Sequence, residues 1–308
     1  MERNPKWAES PVSHGHTYCA IHEMMVSSRS FAAVINRCDN FRRETAPDNF
    51  IDFRLSPSST NIIGLVSEDV FNLLQAAHQE ALLKGIPTDK PFLSFNPRLD
   101  TAEKRSEALK DLVEKWRDNG LFANIIAPNL WRNELYTVYV DPFGPHTEDR
   151  VAFALERTAC AIFGLVTYGV HMTMYTSDWK IWVPTRSKTK QTWPLCLDNS
   201  VAGGIPHGFT PFESLIKECE EEASLDASLV KAHAIPCGAV SYYFRSEKGY
   251  LQPEVQYIYD LLIPPGKEDE IIPRPKDGEV DSFKLENVDA VVEKMHGGLF
   301  KPNCALGE

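Results

Sequence analysis

Three things are scarce or missing in this 308-residue chain, and each closes off a class of protein. No apolar run approaches the roughly 20 residues needed to span a bilayer, so no membrane-spanning role is expected. The seven cysteines, at positions 19, 38, 160, 196, 219, 237 and 304, are odd in number and contain no CxxC pair. Neither a disulfide framework nor a zinc site is suggested, and a reducing compartment fits. Positive charge is in deficit: 32 Lys and Arg face 43 Asp and Glu, a formal net charge of −11. That balance disfavours a nucleic-acid or anionic-membrane partner and obliges any polyanionic ligand to find a local basic patch. The opening MERNPKWAESP lacks the basic-then-apolar order of a signal peptide and carries acids that a transit peptide avoids, so the expected location is the cytoplasm. No internal repeat is visible, and the length allows about two domains.

What is present speaks most directly between Gly203 and Leu225, GGIPHGFTPFESLIKECEEEASL. Thr210 can cap a helix, Pro211 suits its first position, and Glu213 can reach back to complete a capping box, so a helix is predicted to start near residue 211. Phe212, Leu215, Ile216, Cys219 and Ala223 recur with helical spacing and form the core-facing stripe. At about 100° per residue, Glu218, Glu221 and Glu222 then share a narrow sector on the opposite side. Like charges at that spacing repel by a few tenths of a kcal/mol each in water. A hard divalent cation such as Mg²⁺, which takes carboxylate oxygens and substrate phosphates, would offset the repulsion. The bland alternative is a solvated acidic face. The capped start, the apolar reverse face and the preceding Gly203, Gly204 and Gly208, which permit close backbone approach to an anionic group, favour a metal and phosphate site.

These residues resemble the Nudix box of diphosphate hydrolases: Gly203, then Lys217-Glu218-Cys219-x-Glu221-Glu222-x-Ser224-Leu225. The copy is degenerate, with Phe209 where the family usually has a glutamate, Lys217 where it has an arginine, and Ser224 where it has a late glycine. The phrase Leu197-Asp198-Asn199-Ser200-Val201-Ala202-Gly203-Gly204-Ile205 and the later LIKECEEEAS narrow the resemblance to the thiamine pyrophosphokinase-related Nudix subfamily. Ser187 to Lys190 and the tail Phe300 to Leu306 extend it over most of the chain. The resemblance implies a carboxy-terminal Nudix α/β/α sandwich with a mixed sheet, within an α+β chain. It implies Glu218, Glu221 and Glu222 as metal ligands for Mg²⁺, with Mn²⁺ possible in its place. It implies hydrolysis of thiamine diphosphate, or its damaged oxo and oxy analogues, to the monophosphate and phosphate. Members commonly continue past the tail into another helix, so a chain stopping at Glu308 is expected to be truncated. Isopentenyl diphosphate isomerases share the fold and the RSxxK phrase, but they need a cysteine just before the box, where this chain has Asn199-Ser200-Val201-Ala202.

Along the chain, 27–37, 67–84 and 104–116 read as helices, and the first half as helix-rich with a few strands. Leu135 to Val140 alternates and is broken by Asp141-Pro142-Phe143-Gly144, as a strand ending in a turn. A helix is predicted over 148–161, strands over 166–173, 180–184, 238–245, 256–263 and 280–285, and a last helix over 288–295. The expected division is an amino-terminal domain of unassigned activity over 1–135 and a Nudix domain over 136–308.

Arg186, Lys188 and Lys190 put three cations in five residues, either a solvated hairpin tip or a clamp for a diphosphate. Gly203 and Gly204 are the backbone part of that substrate site. Glu279, in the turn Asp277-Gly278-Glu279, matches the place where many Nudix enzymes bring in a late glutamate; it is either a catalytic base or ligand or a loop carboxylate, with Glu254 in reserve. His207 is read as an exposed loop histidine, Cys219 as a packed thiol, and Trp179, Trp182 and Trp193 as packing residues. The expected activity is therefore metal-dependent diphosphate hydrolysis with a small-molecule partner. A nucleoside diphosphate substrate such as ADP-ribose or a sugar nucleotide, and a non-catalytic binding module, are the alternatives.

Overall fold

The computed structural model describes residues 31–45, 50–74, 81–85 and 90–308. After the short helix α1 (Phe31–Ile35), strands β1 (Ile51–Arg54), β2 (Ile62–Val66), β3 (Leu82–Gly85) and β4 (Phe92–Phe95) form a sheet in the order β2-β1-β4-β3. Helix α2 (Glu68–Leu73) starts at Ser67, whose hydroxyl accepts the Val70 amide. The long helix α3 (Ala102–Asp118) starts at Thr101, which accepts from Lys104, and buries Leu109, Leu112, Val113 and Trp116 at helical spacing. Helix α4 (Ala123–Ile126) follows, then the antiparallel pair β5 (Leu135–Tyr139) and β6 (Val151–Glu156). Helix α3 is tied to β6 by polar bonds as well as by packing: Ser106 Oγ accepts the Ala154 amide at 2.8 Å, and Arg105 Nε donates to the Ala152 carbonyl at 2.8 Å. One hydrophobic cluster joins these elements other than α1 and runs from Ile51 to Leu165.

The second sheet has six strands: β7 (Thr167–Tyr175), β8 (Lys180–Arg186), β9 (Val201–Gly204), β10 (Ala234–Arg245), β11 (Leu251–Leu262) and β12 (Val280–Asn287). Its order is β10-β11-β7-β8-β12, with β9 also paired to β7. Because β7 and β11 run parallel while the other pairs are antiparallel, the sheet is mixed. Helices α5 (Pro211–Ala223) and α6 (Ala227–His233) lie against one face, where Val170, Met172, Met174, Val201 and Leu261 meet Leu215, Cys219, Ala223 and Val230. Helices α1, α7 (Val288–His296) and α8 (Pro302–Gly307) gather on a second cluster with Ile181 and Val183. Alternation along β8 explains the two sides of this sheet, since Trp182 packs on the α5 and α6 side and its neighbours Ile181 and Val183 on the α1, α7 and α8 side. The result is the expected α+β architecture with a mixed sheet between helices.

One helix predicted from the sequence is absent and another departs from prediction in part. Residues 148–161 form a 3-10 turn, strand β6 and a second 3-10 turn over Ala159–Phe163. Ala152 through Glu156 are all buried, so β6 is covered on both sides and has no alternating pattern to separate it from a helix. Of the helix expected over 67–84, residues 75–80 lie outside the described residues; the described ones form α2 and, at 82–85, strand β3, because pairing of Leu82–Gly85 with β4 outweighs local helix preference. The expected helix over 27–37 lies partly outside the described residues; within them it is α1. Among the described residues, no helix is long and apolar enough to cross a membrane, and none of the six described cysteines forms a disulfide.

Candidate active site

Helix α5 begins as the sequence requires. Thr210 Oγ1 accepts the Glu213 amide, and the Glu213 carboxylate accepts the Thr210 amide at 2.9 Å, so both halves of the capping box form. Such a cap contributes about 1 kcal/mol and sets where the helix starts, hence which side each glutamate faces. The apolar side is buried as predicted; Cys219 is fully enclosed, touches Met172 Sδ at 3.9 Å, and burial pushes its thiol pKa well up, as befits a packed thiol.

The three glutamates differ in surroundings. Glu222 is buried and accepts the Ala202 amide at 3.3 Å. Burial, together with the charges of Glu218 and Asp198, raises its pKa well above the usual carboxylate range, against the opposing charge of Lys190. Glu218 is mostly enclosed, and burial, assisted by Glu221 and Glu279, raises its pKa to about 6 although Lys217 acts the other way. Glu221 is half exposed. Lys217 Nζ bridges these two carboxylates, at 3.2 Å from Glu218 and 2.7 Å from Glu221.

Strand β9 reaches this helix through its glycines. A Cβ on Gly203 would overlap Cγ and Cδ of Glu218, and one on Gly204 would overlap the hydroxyl of Tyr136. Both positions therefore need glycine for close approach rather than for unusual dihedrals. A second cation stands at the other end of the carboxylate group: Lys190 Nζ pairs with Glu279 and lies 4.0 Å from Glu222. Burial raises the pKa of Glu279, but the hydrogen bond and charge of Lys190, with Arg132 and Arg157, outweigh it and hold the carboxyl below its ordinary value.

The other sequence candidates are placed elsewhere. Arg186 is buried in an ion pair with Asp198 at 2.5 Å and donates to the carbonyls of Trp193 at 2.9 Å and Thr192 at 3.0 Å. Its guanidinium braces the 192–198 loop and is not presented to the glutamates. Lys188 is exposed at the tip of the 186–190 turn. Glu254 bonds Tyr242 Oη and Gln256 Nε2. Exposed His207 bonds Thr137 at 2.9 Å, and Trp179 stacks on Tyr175. Sequence reasoning did not find Arg132, Tyr136 and Arg157. No local pattern links them to α5; only the fold sets Tyr136 against Gly204 with Arg157 over its ring, and brings the charges of Arg132 and Arg157 to bear on Glu279.

Among the described residues, no three of His, Cys, Asp and Glu converge closely enough to hold a metal ion as they stand. Lys217 and Lys190 lie between the carboxylates. The donor set nonetheless suits a hard divalent cation, since it consists of carboxylate oxygens whose two buried members are destabilised as anions by burial and by neighbouring carboxylates.

The chain is 34% identical over 286 residues to Nudix hydrolase 20, chloroplastic, of Arabidopsis thaliana, covering 90% of this chain and 70% of that one. The chain belongs to the Nudix hydrolase family. As a Nudix hydrolase it is an enzyme, and Nudix hydrolases generally use divalent metals. It is also 33% identical over 259 residues to the uncharacterized protein YJR142W of Saccharomyces cerevisiae, across 79% of this chain and 72% of that one. A family described as a domain of unknown function (DUF4743) matches residues 30–167. Among solved structures, DR0079 from Deinococcus radiodurans aligns with 44% of this chain and 75% of its own at 20% identity and a TM-score of 0.34, a likeness too slight to carry an argument.

Proposed function

We propose that this Nudix hydrolase is a diphosphatase of the thiamine pyrophosphokinase-related subfamily, cleaving thiamine diphosphate or its oxo and oxy analogues to the monophosphate and phosphate. The carrying observation is the pair of desolvated carboxylates, Glu218 and Glu222, set with Glu221 on a capped helix beside Lys190 and Glu279.

Glu218, Glu221 and Glu222 would hold Mg²⁺, or Mn²⁺, once their lysine partners turn outward to the diphosphate. A divalent ion so held lends positive charge to phosphate oxygens and makes a nearby water easier to deprotonate. Lys190 and Lys217 then act as point charges on the substrate, which phosphoryl transfer requires as charge spreads over the transferred group. Lys188 can add a third charge from the exposed turn, whereas Arg186 supports that turn from behind. Glu279 is held ionised and is partly open to water, so it can receive the proton of the attacking water. Gly203 and Gly204 keep the backbone clear of side chains beside Glu218.

The reach of the first cluster to Leu165, with β5 and β6 inside it, supports a two-part chain whose division falls after 165 rather than at 135. A reducing compartment such as the cytoplasm suits the described thiols.

The test is monophosphate and phosphate release, with Mg²⁺ and with chelator, from thiamine diphosphate, its oxo and oxy analogues, ADP-ribose and a sugar nucleotide. Metal-dependent turnover favouring the thiamine compounds is expected. Preference for a nucleotide would overturn the substrate and keep the chemistry, and no turnover by folded protein would leave a binding module.

A further inference from the structure

The cations facing the carboxylates of α5 do not all come from its own sheet. The glycine loop after β9 is docked on β5: Tyr136 forms a β-bridge with Pro206, the His207 amide donates to the Leu135 carbonyl at 2.7 Å, and Thr137 bonds His207. Tyr136 abuts Gly204, and the Arg157 guanidinium lies 4.9 Å from the centre of the Tyr136 ring. Arg157 uses Nη1 to bond Glu134 at 2.6 Å. The turn carrying Lys190 is tied to the same region, with Gln191 Nε2 donating to the Asn129 carbonyl at 2.7 Å.

A buried carboxylate fixes where the two arginines stand. Glu156 accepts the amides of Arg132 at 3.0 Å and Glu134 at 3.2 Å, and the Thr158 hydroxyl at 3.3 Å. It thereby locks the 132–134 loop to the end of β6, leaving Arg132 exposed and Arg157 half-buried, both within electrostatic reach of Glu279. Arg186 feels the charge of Glu222 as well, but Asp198 and two carbonyls turn its guanidinium into the 192–198 loop.

We propose that Arg132 and Arg157 form a cationic wall, contributed by the chain ahead of the second sheet, that grips the substrate diphosphate opposite Glu218, Glu221 and Glu222. The inference rests on the diphosphatase reading and makes the first part of the chain a component of the substrate site. Arginine suits this task because its planar fork binds phosphate oxygens in pairs. The grip acts on the diphosphate itself, so it affects every diphosphate substrate alike.

Kinetics of the full chain with Mg²⁺ test the wall. Arg132→Ala should raise KM about tenfold for whichever diphosphates are hydrolysed, with kcat changed much less and Arg132→Lys intermediate. Arg98→Ala, at an exposed position after β4, is the control for a loss of surface charge, and its KM should match the parent. An unchanged KM for Arg132→Ala, while Glu221→Gln abolishes turnover, would overturn the wall and leave the diphosphatase reading intact. If the parent hydrolyses none of the compounds, that reading fails, and titration with inorganic pyrophosphate and Mg²⁺ decides the wall separately. About tenfold weaker binding by Arg132→Ala supports it, and equal binding overturns it.

Discussion

Gly203 lies so close to Glu218 that no larger residue at position 203 can leave the glutamate where it is. The overlap falls on Cγ and Cδ of a movable side chain, so Gly203→Ala should shift Glu218 at little cost to the fold while lowering hydrolysis at least about tenfold. Gly204→Ala meets the rigid Tyr136 ring instead and should destabilise the protein by about 1–3 kcal/mol. Thermal melts and turnover measured on both variants separate the two effects; a catalytically normal Gly203→Ala would contradict this role.

Asp198 and Arg186 form a buried ion pair, each side chain 8% exposed. Removing one partner leaves the other charge buried, so Asp198→Ala should cost about 3–5 kcal/mol in chemical denaturation. A loss below about 1 kcal/mol would mean that Arg186 does not brace the loop. This pair also shows how a sequence cue can mislead. Three cations in five residues look like a phosphate clamp, yet Arg186 faces inward because Asp198 and two loop carbonyls draw it there.

His171 is buried with Nδ1 lacking a partner among the described residues. Burial, then the nearby charge of Lys301, lowers its pKa to about 3, while Asp198 acts in the opposite sense. An unfolded histidine titrates near 6.5, so between about pH 6.5 and 3 the unfolded chain binds the additional proton. Stability conferred by neutral His171 is present above about pH 6.5 and is lost as pH falls, with a slope of up to about 1.4 kcal/mol per pH unit. Burial raises Glu308, which shares Asn199 with this region, to about 8; its contribution runs the other way, being lost as pH rises. The comparison is therefore the difference between parent and His171→Gln. Denaturation across pH 4 to 7 should show that difference shrinking toward acid, and a constant difference would contradict it.

Local chemistry made much of α5 legible: Thr210, Pro211 and Glu213 fix its start, and the apolar stripe fixes its face. Strands β7, β8, β10, β11 and β12 were legible from β-forming runs broken by turns, with ends shifted by several residues in places. Strand β6 was not, because packing on both sides removes alternation. Arg132 and Arg157 were invisible for a different reason. Their charges act on Glu279 only through the fold, in which β5 docks against the glycine loop, a contact between segments some 70 residues apart, as in the Thr137–His207 bond.

The central claim is that the α5 carboxylates act together on a diphosphate, and Glu221 tests it most directly because it is half exposed and can be changed without disturbing the core. Mg²⁺-dependent phosphate release from thiamine diphosphate should fall at least about a hundredfold in Glu221→Gln, with an unaltered melting temperature. Undiminished release would contradict the account.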